Sequence, residues 1–485
     1  MVRALLGASV AAGLLWSLAS VAPATAGQGM AIGAVEDHLR ASSLVEAEAR
    51  MQVFRVSGFR AARITSYWEP GKAAPEEAEL AVLTEVAAAA RRNGVRVYVT
   101  VMHRGSPTTP LTEEARAEFA SYAATIAREV PAIRDLIVGN EPNLNRFWLP
   151  QFEPDGASAA PAAYLALLAM TYDAVKAAAP SVRVYGGAVS PRGTDRPTGL
   201  RPTHSPTTFI RALGAAYRAS GRTRPVMDAF SIHVYGDHSS QPPATLHPGT
   251  SIGIADYDKL VGLLGEAFDG TAQRGSTLPI LYGEYGVETR IPPTKASLYT
   301  GVEPPGTRPV DEETQAAFYE QALALAYCQP TVEGILFFLS RDERALEAWQ
   351  SGVYYVDGTP KASLPRVTRA LARTAGGSIA RCPGLELVVR PTFVRFGSRA
   401  EARRGQFRVA FRCSLDCAYR VRLERATTGA TLLARSGVAA ADEQVDVDLG
   451  WRQLGRGRYR YTLRLTHPVN PGRPTIRVGR PWRLP

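Results

Sequence analysis

Leu136-Ile137-Val138-Gly139-Asn140-Glu141-Pro142 is a short apolar run that ends in a polar tripeptide. A second run, Pro279-Ile280-Leu281-Tyr282-Gly283, ends in Glu284, which follows Glu141 by 143 residues. Short continuous apolar runs are typical of parallel strands that are buried on both faces. Each glutamate therefore stands at the C-terminal end of a predicted buried strand.

Eight such runs alternate with helical patterns between residues 27 and 382. The predicted strands are Ala31–Val35, Ala62–Tyr67, Val95–Met102, Asp135–Gly139, Val182–Ala188, Ala229–Val234, Ile280–Gly283 and Gly334–Leu339. The predicted helices are Leu44–Val56, Pro75–Asn93, Thr112–Val130, Pro161–Ala179, Pro206–Ala219, Ala255–Phe268, Glu312–Tyr327 and Leu364–Thr374. This repeat predicts a (β/α)8 TIM barrel. A doubly wound sheet is the alternative, but it normally has a glycine-rich phosphate loop after its first strand, and none is present.

The last hundred residues differ from the rest in composition and in period. From Pro383 onward the chain has 20 Arg, no Lys and 8 acidic residues, a charge of +12, whereas the whole chain carries +11. Apolar residues and arginines alternate in stretches such as Tyr459–Leu465, which is typical of antiparallel strands with one buried and one solvent-exposed face. We therefore predict a barrel domain over residues 27–382 and an arginine-rich β-sandwich over residues 383–485.

The first 26 residues have the pattern of a secretory signal peptide. A short basic start precedes an almost wholly apolar stretch, and Ala24-Thr25-Ala26 is a small-x-small cleavage signature. An uncleaved membrane anchor is the alternative. The pattern predicts a secreted protein, with association to the cell wall left open.

Because disulfides form outside the cytosol, export predicts that the four cysteines are paired as disulfides. Of the three possible pairings we favour Cys413 with Cys417, four residues apart, and Cys328 with Cys382. A zinc site is not expected, because there is no CxxC pair and no neighbouring histidine.

Side chains at the C-terminal ends of barrel strands converge over one mouth of the barrel. Glu141 and Glu284 end the fourth and seventh predicted strands. Two carboxylates in this arrangement suit hydrolysis of a glycosidic bond, since one can protonate the leaving oxygen while the other attacks the sugar carbon. The plain alternative is that each glutamate pairs with a surface arginine.

The barrel region resembles glycoside hydrolase clan A, the retaining (β/α)8 glycosidases, and most nearly its cellulase-like family five pattern. The resemblance covers about three quarters of the chain. Its basis is the pair of glutamates together with Asn140, Arg63 on the second strand, His103 ending the third, His233-Val234-Tyr235 ending the sixth, and the segment Tyr354–Lys361 after the eighth.

This resemblance implies a role for each residue. Glu141 would be the general acid and base, and Glu284 the nucleophile, kept ionised by Arg63 and Tyr235. Asn140 would bind the substrate 2-hydroxyl, and His103 and His233 are further candidate substrate-binding residues. No cofactor is implied, and a metal centre is not expected, because the first strand lacks a His-x-His pair.

The aromatic residues depart from the family pattern. The family carries a tryptophan at the end of strand eight, as a floor for the reacting sugar, where this chain has Phe337-Phe338-Leu339-Ser340. A phenylalanine of this run or Trp349 in the following loop could substitute. Trp68 and Trp148 are predicted sugar platforms, with burial in the core as the alternative for each.

The sequence thus predicts a secreted retaining β-glycoside hydrolase that acts on a β-linked oligosaccharide or polysaccharide. A cell-wall transglycosylase and a non-catalytic carbohydrate-binding protein are the alternatives. The arginine-rich domain could hold an anionic cell-wall polymer, although a genome-wide preference for arginine is the slightly favoured explanation of its composition. Nucleic acid is not an expected partner of an exported chain, and no particular oligomeric state is predicted.

Overall fold

The computed structural model describes residues 27, 29–377, 379, 382, 388–398, 400–401, 404–450, 454–468 and 470–484. The predicted signal peptide, residues 1–26, lies outside these residues. Within the described part of the chain, no helix has the length and hydropathy needed to cross a membrane.

Eight parallel strands close into a barrel in chain order, with the eighth paired to the first. The strands are β1 Ala31–Val35, β2 Ala61–Trp68, β3 Arg96–His103, β4 Asp135–Val138, β5 Arg183–Val189, β6 Ala229–His233, β7 Ile280–Tyr285 and β8 Val332–Phe338. The helices are α1 Leu44–Val56, α2 Glu77–Arg92, α3 Glu113–Glu129, α4 Ala160–Ala178, α5 Pro206–Ala219, α6 Tyr257–Phe268, α7 Glu312–Tyr327 and α8 Leu364–Ala375. The predicted (β/α)8 barrel is confirmed.

Local sequence signals explain why several helices begin where they do. The side chains of Thr112, Ser205 and Asp311 each accept a hydrogen bond from the backbone N–H three residues later, at the starts of α3, α5 and α7. Such caps satisfy backbone donors that have no partner inside the helix. The helices that surround the barrel are therefore set by their own sequence as well as by packing.

Charged and aromatic side chains close the N-terminal end of the barrel. The Arg96 guanidinium donates to both carboxylate oxygens of Asp135, at 2.7 and 2.6 Å. The Tyr185 hydroxyl contacts Asp135 and Glu333 at 3.1 and 2.6 Å. Because this end is filled, a ligand is expected at the opposite mouth, where the strands end.

The C-terminal region consists of antiparallel strands in two sheets. The strands are β9 Pro391–Arg395, β10 Arg408–Cys413, β11 Cys417–Arg425, β12 Thr431–Ala439, β13 Val445–Asp448, β14 Gly457–His467, β15 Asn470–Val478 and β16 Trp482–Leu484. One sheet has the order β13-β10-β9, and the other has the order β12-β11-β14-β15 with β16 also paired to β14. The predicted β-sandwich is confirmed, and the domain boundary at residue 382 stays a prediction.

Both favoured disulfides are present. Cys328 at the end of α7 is bonded to Cys382, and Cys413 is bonded to Cys417 across the turn between β10 and β11. The second disulfide closes the turn by which the chain passes from β10 in one sheet to β11 in the other.

Two carboxylates lie where this turn contacts the barrel. Asp269, after α6, accepts hydrogen bonds from Ser276 and from the backbone N–H of Asp416, the latter at 3.2 Å. Asp416 in turn accepts from the backbone N–H of Ala441 at 2.9 Å. Burial, and then the charge of Asp269, raise the pKa of Asp416 to about 6. Burial also raises the pKa of Asp269.

The pair makes stability depend on pH. Because Asp416 binds its proton more tightly in the folded than in the unfolded chain, its contribution to stability falls as pH rises from about 4 to about 6 and is then constant. Asp416→Asn keeps the acceptor oxygen and removes the charge. We expect a melting temperature that is higher than that of the parent by about 2–4 °C at pH 7.5 and a flatter dependence on pH, measured by scanning calorimetry.

Asp442→Asn is the matched control. Asp442 is exposed on the same segment and already has a positive φ of 57°, which asparagine tolerates. Its variant should follow the parental curve between pH 4 and 8. A parallel shift of both variants, or no change for Asp416→Asn, would show that the pair does not titrate as described.

Candidate active site

The turn after β4 brings Glu141 over the barrel mouth. Gly139 and Glu141 both have positive φ values, 77° and 42°, and the backbone N–H of Glu141 donates to the Ala188 carbonyl at 2.8 Å. A positive φ is uncommon for a residue with a side chain, and such residues cluster at functional sites. The conformation sets Glu141 apart from an ordinary strand-end residue.

Glu284 lies inside β7, one residue before its end, and is almost completely buried. The Arg63 Nη1 atom lies 2.8 Å from one carboxylate oxygen of Glu284, and the Tyr235 hydroxyl donates to the other at 2.8 Å. Burial by itself raises the pKa of Glu284, but His233, Arg63 and the tyrosine hydrogen bond outweigh it, so this pKa lies below its ordinary value. Glu284 is therefore held ionised.

Arg63 also connects two strand ends. Its guanidinium donates to the Gly283 carbonyl at 3.1 Å and to the Asn140 side-chain oxygen at 3.2 Å. The chain after β4 and the end of β7 are thus tied to one buried cation. The structure brings Arg63, Asn140 and Glu284 together.

His233 stands between the two glutamates. Its ring is fully buried, and Nδ1 lies 2.8 Å from a carboxylate oxygen of Glu141 and 3.3 Å from one of Glu284. The sequence predicts a substrate contact for His233. In the structure His233 contacts both carboxylates. The pairing of β6 with β7 is shifted in register next to His233, and no local sequence pattern predicts this shift.

Two aromatic rings line the site where β8 ends. Trp349, in the loop after β8, stacks on Tyr235 with ring centroids 4.8 Å apart and an interplanar angle of 29°. Phe338, at the end of β8, contacts Trp349 edge-on at 5.2 Å. Phe338 and Trp349, both candidate substitutes for the strand-eight tryptophan, thus lie close to Tyr235.

A buried polar cluster holds the loop that carries Trp349. The ammonium group of Lys361 donates to a carboxylate oxygen of Asp342 at 2.8 Å and to the Gln350 carbonyl at 2.9 Å, and both charged side chains are fully buried. The backbone N–H of Gln350 donates to Glu288, whose pKa burial raises to about 7. Sequence reasoning missed this cluster, although Lys361 lies in the segment after strand eight that carried the family resemblance.

Two predicted sugar platforms are buried in the core. Trp68 is fully buried, donates from its indole to the Lys72 carbonyl at 2.8 Å, and packs in the core. Trp148 is 1% exposed and packs edge-on against His103, whose Nδ1 lies 2.8 Å from the Gly105 carbonyl. These rings cannot stack on a sugar, which corrects the prediction for both tryptophans, and the described polar contact of His103 is to its own loop.

Glu141, His233 and Glu284 could also hold a metal ion by geometry. One ligand atom from each lies within 4.8 Å of the others. However, the Arg63 guanidinium already lies 2.8 Å from Glu284. A second cation would be repelled by it, so the residues fit proton transfer better than metal binding.

Comparisons with known proteins bear on the fold. No family model matches this chain, and no curated protein matches its sequence. Among solved structures it is similar to the Streptomyces cattleya GH5_18 structure in complex with GlcNAc, at 16% identity over 74% of this chain and 83% of that chain, with a TM-score of 0.50. This likeness shows a shared (β/α)8 fold.

Two further structures are more distant. One is the exo-β-1,4-mannosidase Op5Man5 from Opitutaceae bacterium strain TAV5, at 16% identity over 75% of this chain and 64% of that chain, with a TM-score of 0.46. The other is Bacteroides uniformis β-glucuronidase 2, at 11% identity and a TM-score of 0.44 over 94% of this chain. The chain spans about half the length of that protein, 46%.

The hydrogen bond from Tyr235 should hold the pKa of Glu284 down. Tyr235→Phe removes this donor to an ionised carboxylate, and we expect the pKa of Glu284 to rise by about one to two pH units. The measurement is a carboxyl-carbon NMR titration, with the Glu284 signal assigned from its loss in Glu284→Gln.

The control for this titration is Tyr217→Phe. It removes another buried tyrosine hydroxyl, which donates to the Arg224 carbonyl at 2.8 Å outside the site. The Glu284 titration should not change there. An unchanged pKa in Tyr235→Phe would mean that the hydrogen bond does not favour the ionised form.

Proposed function

We propose that this chain is a retaining β-glycoside hydrolase that acts on a β-linked oligosaccharide or polysaccharide. The observation that carries the proposal is the pair of carboxylates, Glu141 and Glu284, whose oxygens approach within 4.8 Å. Retaining enzymes hold their carboxyl groups about 5–5.5 Å apart, whereas inverting enzymes leave about 6.5–9.5 Å for a water molecule. The described spacing supports retention.

In the first step an oxygen of Glu284 attacks the anomeric carbon. The glycosidic bond breaks, its electron pair stays on the leaving oxygen, and Glu141 gives that oxygen a proton. In the second step Glu141 takes a proton from water, whose oxygen attacks the same carbon and releases Glu284. The ion pair with Arg63 supports the nucleophile role, because an ionised carboxylate is required for attack.

The aromatic wall supports a sugar ligand. Trp349 and Phe338 lie beside Tyr235, which donates to Glu284, so a sugar bonded to Glu284 would lie against these rings. Asn140 is next to Glu141 and can bond the 2-hydroxyl, an interaction that strengthens toward the transition state.

We also propose that the protein is exported and held on an anionic cell-wall polymer. The signal-peptide pattern and the two disulfides support export, since structural disulfides persist in oxidising compartments. The charge of +12 after residue 382 supports an anionic partner for the C-terminal domain.

Replacing the nucleophile should abolish turnover. Glu284→Gln cannot attack the anomeric carbon, and we expect kcat on aryl β-glycosides to fall by roughly 10³-fold or more. The melting temperature should also fall, because Arg63 loses its buried charged partner, so circular dichroism at the assay temperature checks that the variant is folded. Stopped assays over a panel of aryl β-glycosides and β-linked polysaccharides measure this and identify the sugar.

Glu333→Gln is the matched control, because Glu333 is a carboxylate of β8 at the closed end of the barrel. It should keep parental turnover. Proton NMR of the first product formed should show the anomeric configuration of the substrate. Parental activity in Glu284→Gln, an inverted product, or activity that EDTA abolishes and a divalent metal restores would each overturn the mechanism.

Trp349 should contribute to sugar binding. Trp349→Ala removes the ring that stacks on Tyr235, and we expect kcat/KM to fall by roughly tenfold, since an aromatic contact contributes about 0.5–1.5 kcal/mol beyond its buried area. Steady-state kinetics on the best aryl glycoside measure the loss.

Trp349→Phe keeps an aromatic face and should retain most of the activity. The pH dependence of kcat/KM should be the same in both variants, because neither changes the hydrogen bond to Glu284. Equal losses in the alanine and phenylalanine variants would contradict a stacking role.

A further inference from the structure

The outer face of the larger sandwich sheet carries a cluster of arginines. In β11 and β14 the buried residues, such as Val421 and Leu463, alternate with residues that point to solvent. The solvent side of β11, β14 and β16 contains six described arginines, of which Arg460 is paired with Glu424. The other five we name the arginine face: Arg420, Arg422, Arg458, Arg464 and Arg483.

Strand pairing places arginines directly opposite each other on this face. Arg420 on β11 pairs with Arg464 on β14, and Arg458 on β14 pairs with Arg483 on β16. Opposed residues of antiparallel strands have their Cβ atoms about 4.5–5.5 Å apart, and like charges there are destabilising. Two such pairs in one sheet weaken the free protein, so an anion that bridges them would relieve the repulsion.

The arginine face has almost no negative charge of its own. Its acid is Glu424, which already contacts Arg460 at 3.2 Å and accepts from Thr462 at 3.0 Å. No described carboxylate lies within ion-pair distance of the five arginines. Their guanidinium groups are therefore available to an external anion.

We propose that the arginine face binds an acidic polysaccharide, a sugar polymer whose repeating unit carries a carboxylate. This proposal rests on the proposed function, since a polysaccharide hydrolase acts where such polymers occur, and it names the face and the chemistry of the anionic partner. A planar guanidinium fork matches the two oxygens of a carboxylate. The same chain forms this contact internally between Arg222 and Asp173, at 2.9 and 2.6 Å.

The backbone of this face favours a carboxylate polymer over a phosphate polymer. Phosphate sites commonly use free backbone N–H groups at helix N-termini or in anion-binding turns. The backbone groups of β11 and β14 are paired along the ladder with the neighbouring strands. Of the groups on these two strands, only the side chains, and above all the guanidinium groups, can bind the ligand.

The side chains at the rim argue against a lipid surface. Val438, Ile476 and Val478 are exposed beside the arginines, by 80%, 50% and 55%. These are short side chains, and the described positions of the face contain no tryptophan or phenylalanine for insertion. Charge alone gives about 1 kcal/mol per arginine near an anionic membrane, and stable anchoring needs a second signal. A flat polyanion that lies across the sheet fits better.

The test compares two triple variants of the full chain that lose the same charge. The face variant is Arg420→Gln, Arg458→Gln and Arg464→Gln. The control variant is Arg390→Gln, Arg435→Gln and Arg477→Gln, which removes exposed arginines of the same domain off this face. Binding to polygalacturonate, its fully methyl-esterified form, polyphosphate and phosphatidylglycerol vesicles is measured by affinity electrophoresis and co-sedimentation.

The parent should bind polygalacturonate and not the methyl ester, with an affinity that falls as salt rises. The face variant should bind roughly tenfold more weakly, and the control variant should stay within about twofold of the parent. Arg→Lys replacements at the three face positions should recover only part of the binding, because lysine keeps the charge and loses the fork. The melting temperature of the face variant should not fall, since like-charge repulsion is removed.

Three results would overturn the proposal: no binding to polygalacturonate, equal losses in the two triple variants, or tighter binding to polyphosphate or vesicles than to polygalacturonate. Turnover of a small aryl glycoside is measured on the same samples and should be unchanged in the face variant. A parent chain that turns over the glycoside but does not bind polygalacturonate would count against the arginine face alone. Binding by a chain that hydrolyses no glycoside would count against the proposed function alone.

Discussion

The guanidinium of Arg63 and the carboxylate of Glu284 lie 2.8 Å apart, and both side chains are almost completely buried. Removing two charges from water costs several kcal/mol per ion, and the cost is offset only when the pair and its remaining hydrogen bonds are well formed. Here Gly283, Asn140 and Tyr235 supply those bonds. Taking away either partner would leave an uncompensated buried charge. The ends of β2, β4, β6 and β7 are thus held in one relative position by the need to keep this pair satisfied.

A second buried ion pair, Lys361 with Asp342, lies next to the loop that carries Trp349. Lys361 and Asp342 are fully buried, and their hydrogen bonds reach Gln350, the residue after Trp349. The loop after β8 is long and would otherwise have many conformations. An internal ion pair limits them, so the tryptophan presents its ring beside Tyr235. The buried ion pair thus helps to hold Trp349 next to Tyr235.

The barrel and the C-terminal domain differ in where their charged side chains lie. The barrel is close to neutral, and two of its ion pairs, Arg63–Glu284 and Asp342–Lys361, are buried near the mouth. The C-terminal sheet keeps arginines unpaired on an outer face, where opposed like charges have no described counter-ion. Charge that is neutralised inside a protein positions groups, whereas charge left at the surface is available for recognition.

Local patterns in the sequence were enough for the eight strands and helices, the two disulfides and the strand-end positions of Glu141 and Glu284, because apolar runs, caps and cysteine spacing act over short distances. The register of β6 against β7, which puts His233 between the glutamates, was decided only by the closed barrel. The positions of the tryptophans were also decided only by the tertiary structure: Trp68 and Trp148 are buried in the core, and Trp349 lies beside Tyr235 at the site. An indole has the same local signal whether it packs inward or outward, and only the assembled neighbours determine which surface is left for it.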